Sequence, residues 1–501
     1  MSRPFLSLQN VTIRHQNHVL FHDLNFEVQP GEQWALIGES GSGKSSLLKA
    51  IAGEMSVVGG QVRYGFYEEY LEQQPVPDIF FSFRNLLAMV GQKHTFKNLS
   101  TNTSTFYYQQ RYHATDAEDA PTVEKYLTSV QPAVLADSWW TYARVISSFR
   151  LTELLQKQLI KLSNGETKRL LMAAAMLQNP KLLLLDMPLT GLDVESRAGF
   201  NQLLTEITSS GVTVILATSA QEIPEAITHV ALLKKNRIVS AQPKAAYIPQ
   251  RTKDQSNCPL KAELLSQLLS ETESPEFSII ADLKNVTVTY GDKTVLDQVN
   301  WQVRQGERWA LLGHNGAGKT TLLSLLNGDN PQAFSKDLTL FDRRRGTSET
   351  IWDIKKKIGF VSPELFQFFP HQQTCLQVVE SGLYDTLGLF RKSQPGNATK
   401  ARQWLELLGI AEEAQKPFRR VSASSQRLCL LARALIKHPP LLILDEPCQG
   451  MDAQQQERFE QVVDAICANS TTTLMYVTHY PEEIPSCVTK VLKLENGVVV
   501  S

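Results

Sequence analysis

The chain has 501 residues, 42% hydrophobic and 20% charged, and its 50 basic residues are balanced by 51 acidic ones. That is enough material for several buried cores, roughly two to four domains by size, and the balanced charge excludes a strongly basic nucleic-acid binder. The opening MSRPFLSLQN lacks the regions of a secretory signal. No apolar run approaches the roughly 18 residues a membrane helix needs, so a cytoplasmic protein is expected. The six cysteines (Cys258, Cys375, Cys429, Cys448, Cys467, Cys487) include no C-x-x-C pair and read as reduced structural thiols. The basic runs Arg343 to Arg345 and Lys355 to Lys357 read as solvated faces.

From Asn10 the segment NVTIRHQNHVLFHDLNFEVQPGEQWALIG recurs as NVTVTYGDKTVLDQVNWQVRQGERWALLG from Asn285, so the chain is an internal repeat. Lys44 and Lys319 keep an offset of 275, whereas Asp186 and Asp445 stand 259 apart, so the first copy carries sixteen extra residues between these anchors. The excess falls near Lys93 to Pro121, a polar stretch with Phe106, Tyr107, Tyr108 and Tyr112, which reads as a surface arm of a helical region. His15, His18 and His22 lie on a hairpin without helical spacing and do not suggest a metal site. Each copy opens with alternating strands and continues through a strand, loop and helix. A helix-rich middle follows, and apolar strands alternating with helices close it. The pattern is α/β: domains over 1–241 and 278–501, joined by a Pro, Ser and Gln-rich linker over 242–277 with a short helix near Leu260 to Leu269.

Two loops, GESGSGKS at Gly38 to Ser45 and GHNGAGKT at Gly313 to Thr320, fit G-x-x-x-x-G-K-[ST] between an apolar strand and a helical pattern, the context that makes this motif specific for nucleotide phosphates. Backbone N–H groups around Gly38, Ser40, Gly41 and Gly43, and around Gly313, Asn315, Gly316 and Gly318, would wrap the phosphates. Lys44 and Lys319 would reach the terminal phosphates, with Ser46 and Thr321 opening the helices beside them. Ser45 and Thr320 are candidate Mg²⁺ ligands together with Asp186 and Asp445, which end the apolar runs LLLLD and LLILD. ATP and Mg²⁺ are the cofactors expected. Glu446 follows Asp445 and is able to orient and deprotonate an attacking water, whereas Asp186 is followed by Met187, which can do neither.

LSNGE, Leu162 to Glu166, lies ahead of Asp186, and GLD follows at Gly191 to Asp193. With the two glycine loops this set resembles the ATP-binding-cassette ATPases over both halves of the chain: two P-loop NTPase domains, each with a helical subdomain. The resemblance implies that the cassettes meet head to tail as an intramolecular dimer, each ATP lying between one glycine loop and the other cassette's signature. It implies signature contacts from Ser163, Gly165 and Glu166, and from Ser422 in the second signature, VSASSQ. It makes Tyr290 the ring that stacks on adenine, with His15 in its place in the first copy, and Gln92 the γ-phosphate sensor, matched less well by Glu364. His479 becomes the switch histidine, replaced by Ser219, while His229 falls in a later strand as a rim residue.

Ser425 is taken to stand in place of Gly165, so three losses (Met187, Ser219 and the altered second signature) fall on the first composite site. That site is expected to bind ATP, and the second, with Glu446 and His479, to hydrolyse it. YYQQR and ARQWLELLGI…PF…LARALIKHPPLLILDEP resemble the ModF-type molybdate-transport ATP-binding and photorepair proteins. This implies molybdate-like import through a separate integral-membrane permease, with the chain peripheral on the cytoplasmic face of the inner membrane. A soluble ATP-dependent switch acting on a protein or nucleic acid is the alternative.

Overall fold

A computed structural model describes residues 3–15, 18–39, 41–73, 80–91, 121–130, 138–159, 162, 164–190, 194–248, 262–270, 275–291, 293–347, 349–362, 365–449, 451 and 453–500. They fall into two compact units, one within 3–248 and one within 262–500. In the first, β1 (Leu6–His15) lies between β2 (His18–Val28) and β4 (Ser56–Tyr64) in an antiparallel sheet. A bulge breaks β1 between Leu8 and Val11, where Asn10 takes a positive φ of 48°. The Asn25 amide oxygen accepts the Asn10 N–H at 3.0 Å, a polar substitute for the interrupted ladder.

The remaining strands of this unit are β3 (Trp34–Ile37), β5 (Leu87–Val90), β6 (Leu182–Asp186), β7 (Thr213–Ala217), β8 (His229–Lys234) and β9 (Arg237–Pro243). They form one sheet in the order β5-β6-β7-β3-β8-β9, parallel except for the β8/β9 pair. Strands buried on both faces need apolar side chains at every position. Alternate residues then serve two cores: Leu182, Leu184 and Ile215 pack with the antiparallel sheet and the helix Lys44–Ile51, and Leu183, Leu185 and Val214 pack with the helical region.

The second unit repeats the plan. The strands are β10 (Ile279–Tyr290), β11 (Lys293–Arg304), β12 (Arg308–Leu312), β13 (Leu338–Leu340), β14 (Arg343–Arg344), β15 (Ile358–Val361), β16 (Leu441–Asp445), β17 (Thr473–Val477), β18 (Lys490–Glu495) and β19 (Val498–Val499). The order β15-β16-β17-β12-β18-β19 matches the first sheet position for position. The asparagine bulge recurs as well, Asn300 accepting the Asn285 N–H at 2.9 Å. The helix Ala262–Ser270 buries Leu265 and Leu268 in this unit's core.

The two basic runs are less solvated than expected. Arg345 is buried in an ion pair with Glu349 at 2.8 Å, and Lys355 pairs with Asp329 at 2.8 Å. Arg343 and Arg344 do face solvent. Cys375, Cys429, Cys448 and Cys467 are buried free thiols. No described helix is long and apolar enough to cross a membrane.

Candidate active site

Both glycine loops leave the sheet at the carboxyl end of a strand that lies between neighbours on either side, β3 and β12, the crevice position where α/β sheets take ligands. Gly38 and Gly313 open the loops with φ of 146° and 151°. A Cβ at Gly38 would meet the Leu233 carbonyl oxygen at 2.2 Å, and one at Gly313 the Leu494 oxygen at 2.5 Å, so only glycine fits. Gly41, Gly316, Gly43 and Gly318 also take positive φ, the last two as N-caps of the helices Lys44–Ile51 and Lys319–Leu326. The loops are thus cradles of backbone N–H groups at helix N-termini, a form suited to phosphates. Lys44 Nζ donates to the Gly38 and Glu39 carbonyls at 2.6 and 2.9 Å. Lys319 Nζ does the same to Gly313 and His314 at 2.6 and 3.0 Å. Asn315, Ser46 and Thr321 lie along the same loops and first helical turns.

Ser45 Oγ donates to Asp186 Oδ1 at 2.9 Å, so the helix and the end of β6 converge on a pair of hard oxygen ligands, the donor set that suits Mg²⁺. Burial pushes the Asp186 carboxyl up, against the hydrogen bond from Ser45 and the charges of Lys49 and Lys44. Thr320 and Asp445 occupy the matching places in the second unit.

Beyond these aspartates the units part. Met187 and Glu446 share a left-handed backbone, φ 49° and 43°, and each amide donates to the neighbouring strand, at Ala217 O (3.0 Å) and Val477 O (2.9 Å). The positions are therefore equivalent. Two residues beyond those carbonyls stand Ser219 and His479. In the second unit the Glu446 carboxylate contacts His479 Nε2, and Gln449 Nε2 donates to the other Glu446 oxygen at 2.9 Å. His479 Nδ1 lies 3.0 Å from Gly313 O and 3.2 Å from Lys319 Nζ. Burial lowers the His479 proton affinity, but the hydrogen bond and charge of Glu446 outweigh it and leave the imidazole raised. In the first unit Met187 offers no polar atom of this kind, and Ser219 donates to Glu222 at 3.0 Å.

The helices Asn164–Leu177 and Ala423–Leu435 begin at equivalent residues, which corrects one expectation: Ser424, not Ser425, stands where Gly165 stands. Both serines are buried. Ser422 caps its helix, accepting from Ser425 N at 3.1 Å, with the Ser424 and Ser425 hydroxyls each 2.9 Å from its own. Glu166 pairs with Lys157 at 2.7 Å. Tyr290 ends β10, is 39% exposed, and its hydroxyl accepts from Asn330 at 2.9 Å. His15 ends β1 at the same place in its hairpin. His229 stacks on Trp34 with ring centroids 5.0 Å apart, a rim residue of β8. Ser40, Gln92, Ser163, Glu364 and the arm over 93–120 lie outside the described residues. Gln449 and Asn330 escape a reading of the sequence, being polar residues that no spacing in the chain places beside Glu446 or Tyr290.

Two doubly wound units, each with a glycine loop, an aspartate at the end of a buried strand and a helical region, define a tandem nucleotide-binding ATPase. The ABC transporter family model matches residues 21–190 and 296–449, and the chain belongs to that family, as an ATP-binding ATPase of two cassettes. It is 35% identical over 466 residues to the ABC transporter ATP-binding protein ModF of Escherichia coli, covering 92% of this chain and 90% of that one. An ABC transporter ATP-binding protein of Schizosaccharomyces pombe is 32% identical over 507 residues, 99% of each chain. Among solved structures, a model of ribosome-bound archaeal Pelota and ABCE1 matches in fold with a TM-score of 0.59 at 16% identity, over 98% of this chain and 77% of that one.

Proposed function

We propose that the second unit hydrolyses ATP while the first mainly holds it. The observation that carries this is the contact between Glu446 and His479 at the ends of β16 and β17, set against Met187 and Ser219 at the equivalent positions. Glu446 would take the proton from an attacking water and His479 would hold the γ-phosphate side of that water. Lys319 and the backbone around Gly313 to Gly318 would bind the phosphates. Mg²⁺, held by Thr320 and Asp445 and in the first unit by Ser45 and Asp186, would supply charge neutralisation at the β- and γ-phosphates. A general base is worth roughly 10²–10⁴ in rate, or about 3–5 kcal/mol, so Met187 nearly silences the first unit's chemistry without touching its grip on phosphate.

The family's head-to-tail arrangement supports pairing Tyr290, Glu446 and His479 with the signature residues Ser163, Gly165 and Glu166, and the first loop with Ser422. It also supports Gln92 as the sensor of the first unit. The relatives' description as ABC transporter ATP-binding proteins supports an integral-membrane permease as partner, on the cytoplasmic face of the inner membrane. Molybdate-like import is carried by the resemblance alone. Affinity capture of the tagged chain from detergent-solubilised membranes tests the partner. A co-purifying multi-span protein that stimulates ATP hydrolysis supports transport, while a soluble protein or nucleic acid in its place would overturn it.

A further inference from the structure

The helix Ala423–Leu435 buries two arginines, Arg427 and Arg433, each 7% exposed. A guanidinium withdrawn from water persists only where carbonyls and countercharges replace the solvent. Those of Arg433 lie away from the strand ends: Nε lies 3.4 Å from Ser381 Oγ, Nη2 donates to Thr386 O at 3.1 Å, and the charge beside it is Asp385. Arg427 is placed differently. Its Nη1 donates to Ser362 O at 3.1 Å. Ser362 follows β15, which pairs with β16 so that Val361 lies opposite Leu444, and Ser362 therefore stands level with Asp445. Burial lowers the Arg427 guanidinium to about 10, and the groups holding its charge are Glu446, Cys448 and Asp445.

The first unit carries a related tie on another side chain, with different acceptors. Lys168 stands five residues after Ser163, as Arg427 stands five after Ser422. Lys168 Nζ donates to Pro188 O at 3.0 Å, to Met187 O at 3.4 Å and to Thr190 O. Lys168 fastens the helix that follows the signature to the turn just past Asp186, and Arg427 fastens the equivalent helix to the end of β15, the strand beside the one that delivers Asp445. Only in the second unit is the strand-end aspartate followed by a carboxylate, and only there is the cation a guanidinium with donors for a carbonyl and a charge for the carboxylates. Glu446 needs such support, because its φ of 43° is a conformation that a non-glycine residue keeps only when its surroundings fix it.

We infer that Arg427 is a positioning residue for hydrolysis, holding the Asp445–Glu446 turn against the strand end at Ser362 so that the Glu446 carboxylate stays aimed at His479. The inference rests on the reading of Glu446 as the general base. It also makes the helix behind the second signature rigid with the second unit's catalytic turn, so a shift at Ser422 to Ser425 is felt at Glu446.

The test uses the full chain carrying Arg427→Met, Arg427→Lys, Arg433→Met or Glu446→Gln, with kcat and KM for ATP and Tm measured for each. Arg427→Met is expected to lose roughly tenfold or more in kcat with KM within about threefold, because the loss falls on the reacting geometry rather than on binding. Arg427→Lys restores most of kcat, its ammonium taking the part Lys168 plays. Arg433→Met lowers Tm comparably yet keeps kcat within about twofold, since its partners are Ser381, Thr386 and Asp385 rather than the strand-end carboxylates. If Arg427→Met does not fold, Arg427→Gln, which keeps a donor for Ser362 O without the charge, carries the same expectation. Unchanged kcat in the Arg427 variants, or an equal loss in Arg433→Met, overturns the inference. Normal hydrolysis by Glu446→Gln would instead overturn the base assignment, and that outcome is read separately.

Discussion

Glu446 and His479 meet side chain to side chain at the carboxyl ends of two adjacent parallel strands, and the first unit puts Met187 and Ser219 in the same two places. Backbone and register are shared down to the left-handed turn at 187 and 446. The units differ in the side chains that a water and a γ-phosphate would meet. Each substitution in one unit therefore has an internal control at the equivalent position of the other.

Glu446→Gln removes the base and keeps the shape. Steady-state ATP hydrolysis is expected to fall by roughly 10²–10⁴, while Met187→Gln changes it by less than about twofold. Colorimetric phosphate release measures both, and comparable losses would contradict the assignment.

His479→Ala breaks the contacts to Glu446, Gly313 and Lys319 at once. Its kcat should fall by roughly 10² or more. Ser219→Ala removes only a hydrogen bond to Glu222 and should leave kcat close to that of the parent, as single-turnover assays with radiolabelled ATP would show.

The raised His479 imidazole predicts a pH dependence of stability. Its contribution is complete below the ordinary value of about 6.5, where folded and unfolded chains are both protonated, and is lost as pH rises through the raised folded value. Differential scanning calorimetry should show the Tm gap between the parent and His479→Ala narrowing from about pH 6.5 upward. A gap that stays constant or widens would contradict it.

The helix Ala262–Ser270 is short, and its stability comes from Leu265 and Leu268 in the second unit's core. Leu268→Ala should destabilise that unit by about 2–5 kcal/mol, seen as a lower urea midpoint for the second unit's tryptophan signal.

Much of the fold and site is legible in the chain because the repeat compares itself. The glycine loops, the strand-end aspartates and the Met187/Glu446 asymmetry are local patterns, and continuous apolar runs such as LLILD have one use in a parallel sheet. The histidine position needs only the strand end, and Ser219 stands there. Contact across elements is not legible. Nothing in spacing alone places Gln449 on Glu446, or shows that Arg345 is buried on Glu349 rather than solvated. Placing Ser425 at Gly165 slips the signature register by one residue: the offset of 259 shared by Ser163/Ser422 and Asp186/Asp445 already puts Ser424 there, and the helix starts at Asn164 and Ala423 agree. The tie by Lys168 and Arg427 is present as two cations in register within the repeat, a signal visible once the register is right.

The most direct test of the division of labour is the nucleotide that stays behind. If the first site binds without hydrolysing, its ATP outlasts a turnover, held by Lys44 and the loop Gly38 to Ser45. The full chain, given radiolabelled ATP and Mg²⁺ and filtered rapidly after brief turnover, should retain intact ATP near one per chain, and Lys44→Ala should lose it. Retained ADP alone, or no retained nucleotide in the parent protein, would contradict the account.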